Sequence, residues 1–123
     1  CGVEGLQLKW PNDIVWQGKK LGGILIEMNA EVGGSCQVVV GVGINLALPQ
    51  TVKNQIDQQV VDLREICPAL NRQQVTAALL HHIVLVLSDY ATQGFKAYRQ
   101  TWKSYDALLG VPVSTIGSGI AIG

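Results

Sequence analysis

Between Leu6 and Leu46 the chain reverses direction three times, and no reversal is long enough to hold a helix. Leu6-Gln7-Leu8-Lys9-Trp10 alternates apolar with polar residues, the two-residue period of a half-buried strand, before Pro11 and Asn12 interrupt it. Asp13 to Trp16 reads as a second strand, and Gln17-Gly18 as a tight turn. Lys20 to Asn29, with the run Ile24-Leu25-Ile26, is a third strand. Glu31 to Ser35, with Gly33-Gly34, makes the next reversal, and Cys36 to Leu46, with Val38-Val39-Val40, is a long fourth strand. Strands joined by such short turns must be antiparallel neighbours, because a parallel return needs a crossover of a dozen residues or more.

The second half changes character. Pro49 to Val60 is polar and reads as a loop, and Asp62 to Ile66 as one helical turn stopped by Pro68. Asn71, followed three residues later by Gln74, has the form of a capping box. From there to about Thr92 the apolar residues Val75, Leu79, Ile83, Val86, Leu87 and Tyr90 recur at helical spacing. That helix is apolar around much of its circumference, so it is expected to be largely buried. Gly94 ends it, and Phe95 to Leu109 reads as a second helix terminated by Gly110 and Pro112. Val111 to Gly123 reads as the start of a further strand. Strands followed by helices predict an α+β fold, a mostly antiparallel mixed sheet packed against helices.

Composition narrows the function. Of 123 residues 48% are apolar and 15% charged, which argues against intrinsic disorder. Nine basic and nine acidic residues cancel, leaving no basic footprint for nucleic acid. No uninterrupted apolar run approaches the roughly 18 residues that span a bilayer, so the expectation is not a membrane protein. Cys1, Cys36 and Cys67 are odd in number and widely spaced, and are expected to be reduced thiols of a cytoplasmic protein rather than a disulfide framework or a zinc site. The chain has no start methionine and stops inside an apolar stretch, so it is expected to be a piece of a longer protein.

Three clusters could carry chemistry. In Lys9-Trp10-Pro11-Asn12-Asp13 a proline bend places a cation, an amide and a carboxylate close together. The lysine can hold a phosphate, and the carboxylate can hold Mg²⁺ or orient an attacking amine. An ordinary capped turn accounts for the same residues. In Lys19-Lys20-Leu21-Gly22-Gly23-Ile24-Leu25 two glycines let a ligand lie on bare backbone, beside a lysine suited to a carboxylate or phosphoryl group. A hairpin with a glycine bulge is the plainer alternative. Gly41-Val42-Gly43-Ile44-Asn45-Leu46 fails as a dinucleotide-binding fingerprint, since no third glycine arrives in register and no helix follows. Its alternating glycines strip one face of a strand, for a ligand or simply for close packing, and Asn45 offers a donor and an acceptor suited to an adenine edge. Adjacent His81 and His82 point in different directions on a helix and are read as structural. Glu27 and Glu31 are read as exposed strand-end and turn residues. No G-x-S-x-G elbow, P-loop or H-E-x-x-H motif occurs.

The order and spacing of the three clusters resemble the catalytic domain of biotin protein ligases, some of which in bacteria are bifunctional ligase/repressors. The motif match covers residues 9–46 and continues more loosely through Tyr98 and Trp102 to Gly110-Val111-Pro112-Val113. The resemblance implies a class II synthetase-like biotin/lipoate ligase fold. Residues 1–110 would form the C-terminal part of the catalytic domain, and 111–123 the start of a small SH3-like C-terminal domain. It implies activation of biotin with Mg-ATP to biotinyl-5′-AMP, then transfer of biotin to a lysine of the biotin carboxyl carrier protein of acetyl-CoA carboxylase. By motif position Lys20 would contact the biotin carboxylate and the adenylate phosphate, Lys9 would lie near the ATP phosphates, and Asn12 and Asn45 near the adenylate. Asp13 would serve the Mg²⁺ site or the incoming lysine. Gly23, Leu25 and Gly41 would line the biotin pocket, with Ile24 and Gly43 beside them.

The family's glycine- and arginine-rich ligand loop, which would precede this segment, has no counterpart here, so the chain alone is expected to be inactive or nearly so. Three rivals stay open. A lipoate protein ligase shares the adenylation logic. A biotin-responsive repressor would need an N-terminal DNA-binding domain outside these residues. A chain with no chemistry of its own could serve only as a dimer-forming sheet, a homodimer joined through exposed strand edges.

Overall fold

A computed structural model describes residues 2–30 and 32–114. Four strands, β1 (Leu6–Lys9), β2 (Asp13–Trp16), β3 (Lys19–Ala30) and β4 (Cys36–Ile44), form an antiparallel meander in the order β1-β2-β3-β4. The expected strands are all present, with ends displaced by a residue or two. The β2–β3 hairpin turns on Gln17 and Gly18, at φ 49° and 77°. Two positive φ values give a turn whose twist matches that of its strands. The β1–β2 turn contains a cis Trp10–Pro11 peptide.

The register explains two glycines. Across β2, β3 and β4, Ile14 pairs with Gly22 and Gly22 with Ile44, while the next rung pairs Asp13 with Gly23 and Gly23 with Gly43. Adjacent rungs face opposite sides of a sheet. Ile14 and Ile44 pack on the buried cluster Leu21, Val61 and Leu63, so the Asp13 rung faces away from the core. A Cβ on Gly22 would overlap the carbonyl oxygen of Gly43, so only glycine fits that close approach.

After β4 the chain forms short helix α1 (Gln50–Lys53) inside the segment expected to be a loop, then α2 (Leu63–Ile66) at the expected helical turn. Helix α3 (Arg72–Gln93) starts at the anticipated capping box. The Asn71 Oδ1 accepts from the Gln74 amide at 3.0 Å, and the Gln74 Oε1 accepts from the Asn71 amide at 3.2 Å. Gly94 at φ 62° ends it. Its expected burial is corrected: α3 has no buried residue. Val75 in its first turn meets the core cluster, but Leu80, Val84, Leu85, Val86 and Leu87 are exposed, because no described element packs along their face. His81 and His82 are exposed on it as well.

Over an 18-residue window α3 has a mean hydropathy of 1.4, long and apolar enough to cross a bilayer by length and composition alone. A core helix of a soluble protein passes the same test, so one such helix leaves the expectation standing.

The helix expected over Phe95–Leu109 is shorter and divided: a 3₁₀ turn at Phe95–Ala97, then α4 (Arg99–Tyr105). It stops because Asp106 leaves the helix to bridge Leu8 of β1, and the Ala107 amide donates to the Leu8 carbonyl at 2.9 Å. Val111–Ser114 has no regular structure, and the expected terminal strand and second domain otherwise lie outside the described residues. Glu31 and Cys1 lie outside them too, while Glu27 is exposed on β3. Cys36 is exposed and free, but Cys67, 2% exposed, is disulfide-bonded. That corrects the expectation that all thiols are reduced.

Candidate functional site

The Asp13 rung carries the site. Opposed residues of an antiparallel pair point to the same side, so Asp13, Gly23 and Gly43 share a face, and Leu25 with its partner Gly41 joins them two rungs along. Gly41 and Gly43 thus alternate with side-chain-bearing residues, leaving a bare strip beside Asp13. A regular strand would send Lys20 to the other face from Gly23. The β2–β3 register slips between Ile14 and Val15, which makes Leu21 an extra residue on β3. This bulge restores Lys20 to the side of Gly23 and buries Leu21 to 2% exposure.

The result is an open cleft of about 470 Å³ lined by Asn12, Asp13, Lys20, Gly23–Leu25 and Gly41–Gly43. At its polar end the Lys20 ammonium lies 2.8 Å from the Asp13 Oδ1, both side chains partly exposed at 32% and 25%. The Asn12 carbonyl accepts from the Ile24 amide at 2.8 Å, which fastens the proline turn onto β3. A Cβ on Gly23 would lie 3.4 Å from the Asn12 oxygen, 3.8 Å from the Asp13 Oδ1 and 3.9 Å from the Lys20 Cε. Gly23 is therefore the floor directly under the charged pair. The arrangement offers a cation for a carboxylate or phosphoryl group, a neighbouring carboxylate, and an apolar wall from Leu25.

Two anticipated residues lie elsewhere. Lys9 is exposed and lines an adjoining hollow of about 410 Å³, with Trp10, Leu25, Ile26 and Trp102, which shares Asn12 and Asp13 with the cleft. Asn45 stands behind Lys20 rather than in the cleft lining. Its Nδ2 donates to the Lys20 carbonyl at 3.4 Å and to the Val61 carbonyl at 3.2 Å. For a divalent metal, no group of three histidine, cysteine or carboxylate side chains gathers among the described residues, and Asp13 already faces an ammonium.

Sequence reading passed over a charged cluster behind the site. Asp62, 3% exposed, caps α2 by accepting from the Glu65 amide at 3.1 Å and also accepts from the Leu48 amide at 2.9 Å. Lys53 lies 2.9 Å from the Asp62 Oδ2 and also pairs with Glu65. Burial pushes the Asp62 carboxyl up, but the Leu48 amide, Lys53 and the Glu65 amide together hold it below its ordinary value. Hydrogen bonds to Glu65 and then Asp62 push Lys53 up. The signal was there: Asp62 and Glu65 are spaced as a capping box.

The comparisons with known proteins bear on this geometry. The family model described as "Biotin/lipoate A/B protein ligase family" matches residues 4–45, the stretch that builds the cleft. The bifunctional ligase/repressor BirA of Salmonella typhimurium is 32% identical over 115 residues, covering 94% of this chain and 36% of BirA. The biotin--[acetyl-CoA-carboxylase] ligase of Paracoccus denitrificans is 32% identical over 117 residues, covering 92% and 49%. The biotin protein ligase of Aquifex aeolicus, solved without ligand, superposes with a TM-score of 0.75 at 30% identity, over 93% of this chain and 49% of its own. The same enzyme solved in complex with biotin and ATP gives 0.72 at 30% identity, covering 93% and 47%. The chain thus spans between a third and a half of the length of these relatives. Residues 4–45 match the model of the biotin/lipoate A/B protein ligase family, and the chain has the fold of the corresponding part of the biotin protein ligases.

Proposed function

We propose that this chain supplies one side of the active site of a biotin protein ligase, with Lys20 and Asp13 as its reacting-centre residues. The observation that carries the reading is the 2.8 Å Lys20–Asp13 pair over a glycine floor, in a fold shared with a ligase solved with biotin and ATP. In the first step a biotin carboxylate oxygen attacks the α-phosphorus of ATP. The bond from that phosphorus to the α,β-bridge oxygen breaks, and pyrophosphate leaves with that oxygen. Two anions must meet, and the Lys20 ammonium offsets their repulsion. In the second step the amine of an acceptor lysine attacks the biotinyl carbonyl carbon, and AMP leaves with the bonding pair. The amine must lose a proton, and Asp13 is placed to orient it and accept that proton.

Leu25 and the bare faces of Gly41 and Gly43 give the apolar biotin body a wall, and keeping water from a mixed anhydride is what such a wall serves. Lys9 and Asn12 stand at the junction with the second hollow, on the side where the nucleotide phosphates would extend. Mg²⁺ would arrive with the nucleotide and neutralise its phosphates. A magnesium ion bound mainly by phosphates and water asks for only one or two carboxylates, and Asp13 fits as one of them. By analogy with the Paracoccus relative's name, the acceptor is the biotin carboxyl carrier protein of acetyl-CoA carboxylase. The use of ATP places the reaction in the cytoplasm, whose thiol buffers work against the Cys67 disulfide.

Biotin-dependent ATP–pyrophosphate exchange by the full-length protein, with lipoate as control, tests the reading. Exchange with biotin, lowered about 10³-fold in Lys20→Ala, is expected. A near-normal rate in Lys20→Ala refutes the role of Lys20, and exchange with lipoate alone replaces biotin as the substrate.

A further inference from the structure

Strand β4 abandons β3 before Lys20 is reached. Its pairing with β3 ends at Gly22–Ile44, and the Asn45 amide makes a last bond to the Leu21 carbonyl at 2.8 Å. From there the edge of β3 is taken over by another part of the chain. The Lys20 amide donates to the Gln59 carbonyl at 2.9 Å, the Val61 amide donates to the Lys20 carbonyl at 3.0 Å, and Lys20 and Val60 form a parallel bridge. Both main-chain polar groups of the site lysine are therefore held by residues 59–61.

What holds residues 59–61 lies downstream of them. Asn54, Gln55 and Asp57–Gln59 are exposed, so the loop that leads in gives little support. Val61 is 1% exposed, and the next residue is Asp62. The carboxylate of Asp62 is bound at three points: the Leu48 amide after β4, the Glu65 amide of α2 and the Lys53 ammonium of α1. The Leu63 amide adds a bond to the Asn45 carbonyl at 2.8 Å.

On the ligase reading above, we propose that Asp62 is a positioning residue for Lys20. With Lys53 it clamps residues 59–61 against β3, which fixes the main chain from which the Lys20 ammonium reaches Asp13. A lysine side chain is long, so a small rotation of its backbone moves its nitrogen far. A displacement near 1 Å at a reacting centre is enough to cost about 10²-fold in rate.

The test uses the full-length protein and two independent measurements on Asp62→Ala, Lys53→Ala and the double variant. Amide hydrogen exchange reads the clamp itself. Exchange at Lys20 and Val61 is expected to speed up by about tenfold in each variant, with the β1–β2 ladder within about twofold of wild type. Biotin-dependent pyrophosphate exchange reads the consequence. A loss of about tenfold in kcat, with KM for ATP little changed, is expected in each. The double variant should lose no more than the worse single one, because both act through one clamp. Uniformly faster exchange across the sheet assigns Asp62 a general structural role and overturns the proposal. So does unchanged exchange at Lys20 and Val61, or a kcat that survives their release. If wild type shows no biotin-dependent exchange while the Lys20 and Val61 amides are released as expected, the clamp stands and the ligase reading is what fails.

Discussion

Neighbouring glycines at 22 and 23 should respond to alanine in opposite ways. They sit on opposite faces of β3, one against the core and one under the Lys20–Asp13 pair. In Gly22→Ala the new methyl overlaps the Gly43 carbonyl and lies 3.0 Å from the Ile44 Cδ1. Strand β4 must move, and overpacking of that kind costs about 1–3 kcal/mol. In Gly23→Ala every contact of the methyl is 3.4 Å or longer, which is ordinary van der Waals distance, and Gly23 has no positive φ. Alanine in place of a strand glycine gains about 0.5–1 kcal/mol by restricting the unfolded chain. The same methyl, however, occupies the floor of the cleft and lifts a bound carboxylate by about 1 Å, which costs about 10²-fold in rate, or about 2.7 kcal/mol of transition-state stabilisation. Urea unfolding and biotin-dependent pyrophosphate exchange on the two full-length variants measure both effects. Gly22→Ala should be the less stable protein, and Gly23→Ala the stable but impaired one. A Gly23→Ala variant with normal kcat/KM for biotin would refute the assignment of this face as the ligand floor. Equal destabilisation of the two would refute the register argument beneath it.

Two further outcomes follow from the interactions behind the cleft. Asn45→Ala leaves the part-buried carbonyls of Lys20 and Val61 each short of a donor, so the full-length variant should lose about 1–3 kcal/mol in urea unfolding. Asp62 has a folded-state pKa below its ordinary value of 3.8, so its carboxylate contributes stability above that value and loses it as pH falls through the folded pKa. The stability gap between wild type and Asp62→Asn should be constant from pH 7 to about 5 and close on further acidification, followed by thermal melts.

The strands were legible because β1 alternates apolar with polar residues, β3 and β4 carry β-branched apolar runs, and glycine, proline or asparagine stands in the turns between them. The grouping of Lys20 with Gly23 on one face was not. Counting by twos sends them to opposite sides, and only the extra residue at Leu21, visible as a slip in register, reverses that. Asn45 illustrates a different limit. Its side chain was suited to an adenine edge, and in the fold its donor is spent on two backbone carbonyls. Composition shows what a side chain can bond, while the end of β4 decides what is within reach. Helix α3 was recognisable by its cap and its spacing, but burial depends on partners that a periodicity does not supply. The clamp at Asp62 joins residues from positions 48 to 65 around a carboxylate, and of this only the local capping spacing could be read in advance.

On the ligase reading, the pairing of Lys20 with Asp13 gives the two half-reactions opposite needs, and Asp13→Asn separates them. In the unliganded site Asp13 holds the lysine ammonium at 2.8 Å. A biotin carboxylate must share that ammonium with a carboxylate of the same sign, so Asp13 works against the binding of the first substrate. Asparagine keeps an oxygen within reach of Lys20 but removes the competing charge. KM for biotin in pyrophosphate exchange should therefore stay level or fall. The second half-reaction needs the charge itself, because an amide cannot take the proton of the attacking amine, and loss of a positioned base costs about 10²–10⁴-fold. The variant should form biotinyl-5′-AMP at close to the wild-type rate and transfer it to the carrier slowly. Single-turnover transfer from preformed adenylate, set beside the exchange assay, resolves the two steps. If both fall by the same factor, Asp13 serves adenylation as well, through the nucleotide's magnesium or through the placement of Lys20, and its assignment to the acceptor lysine is wrong.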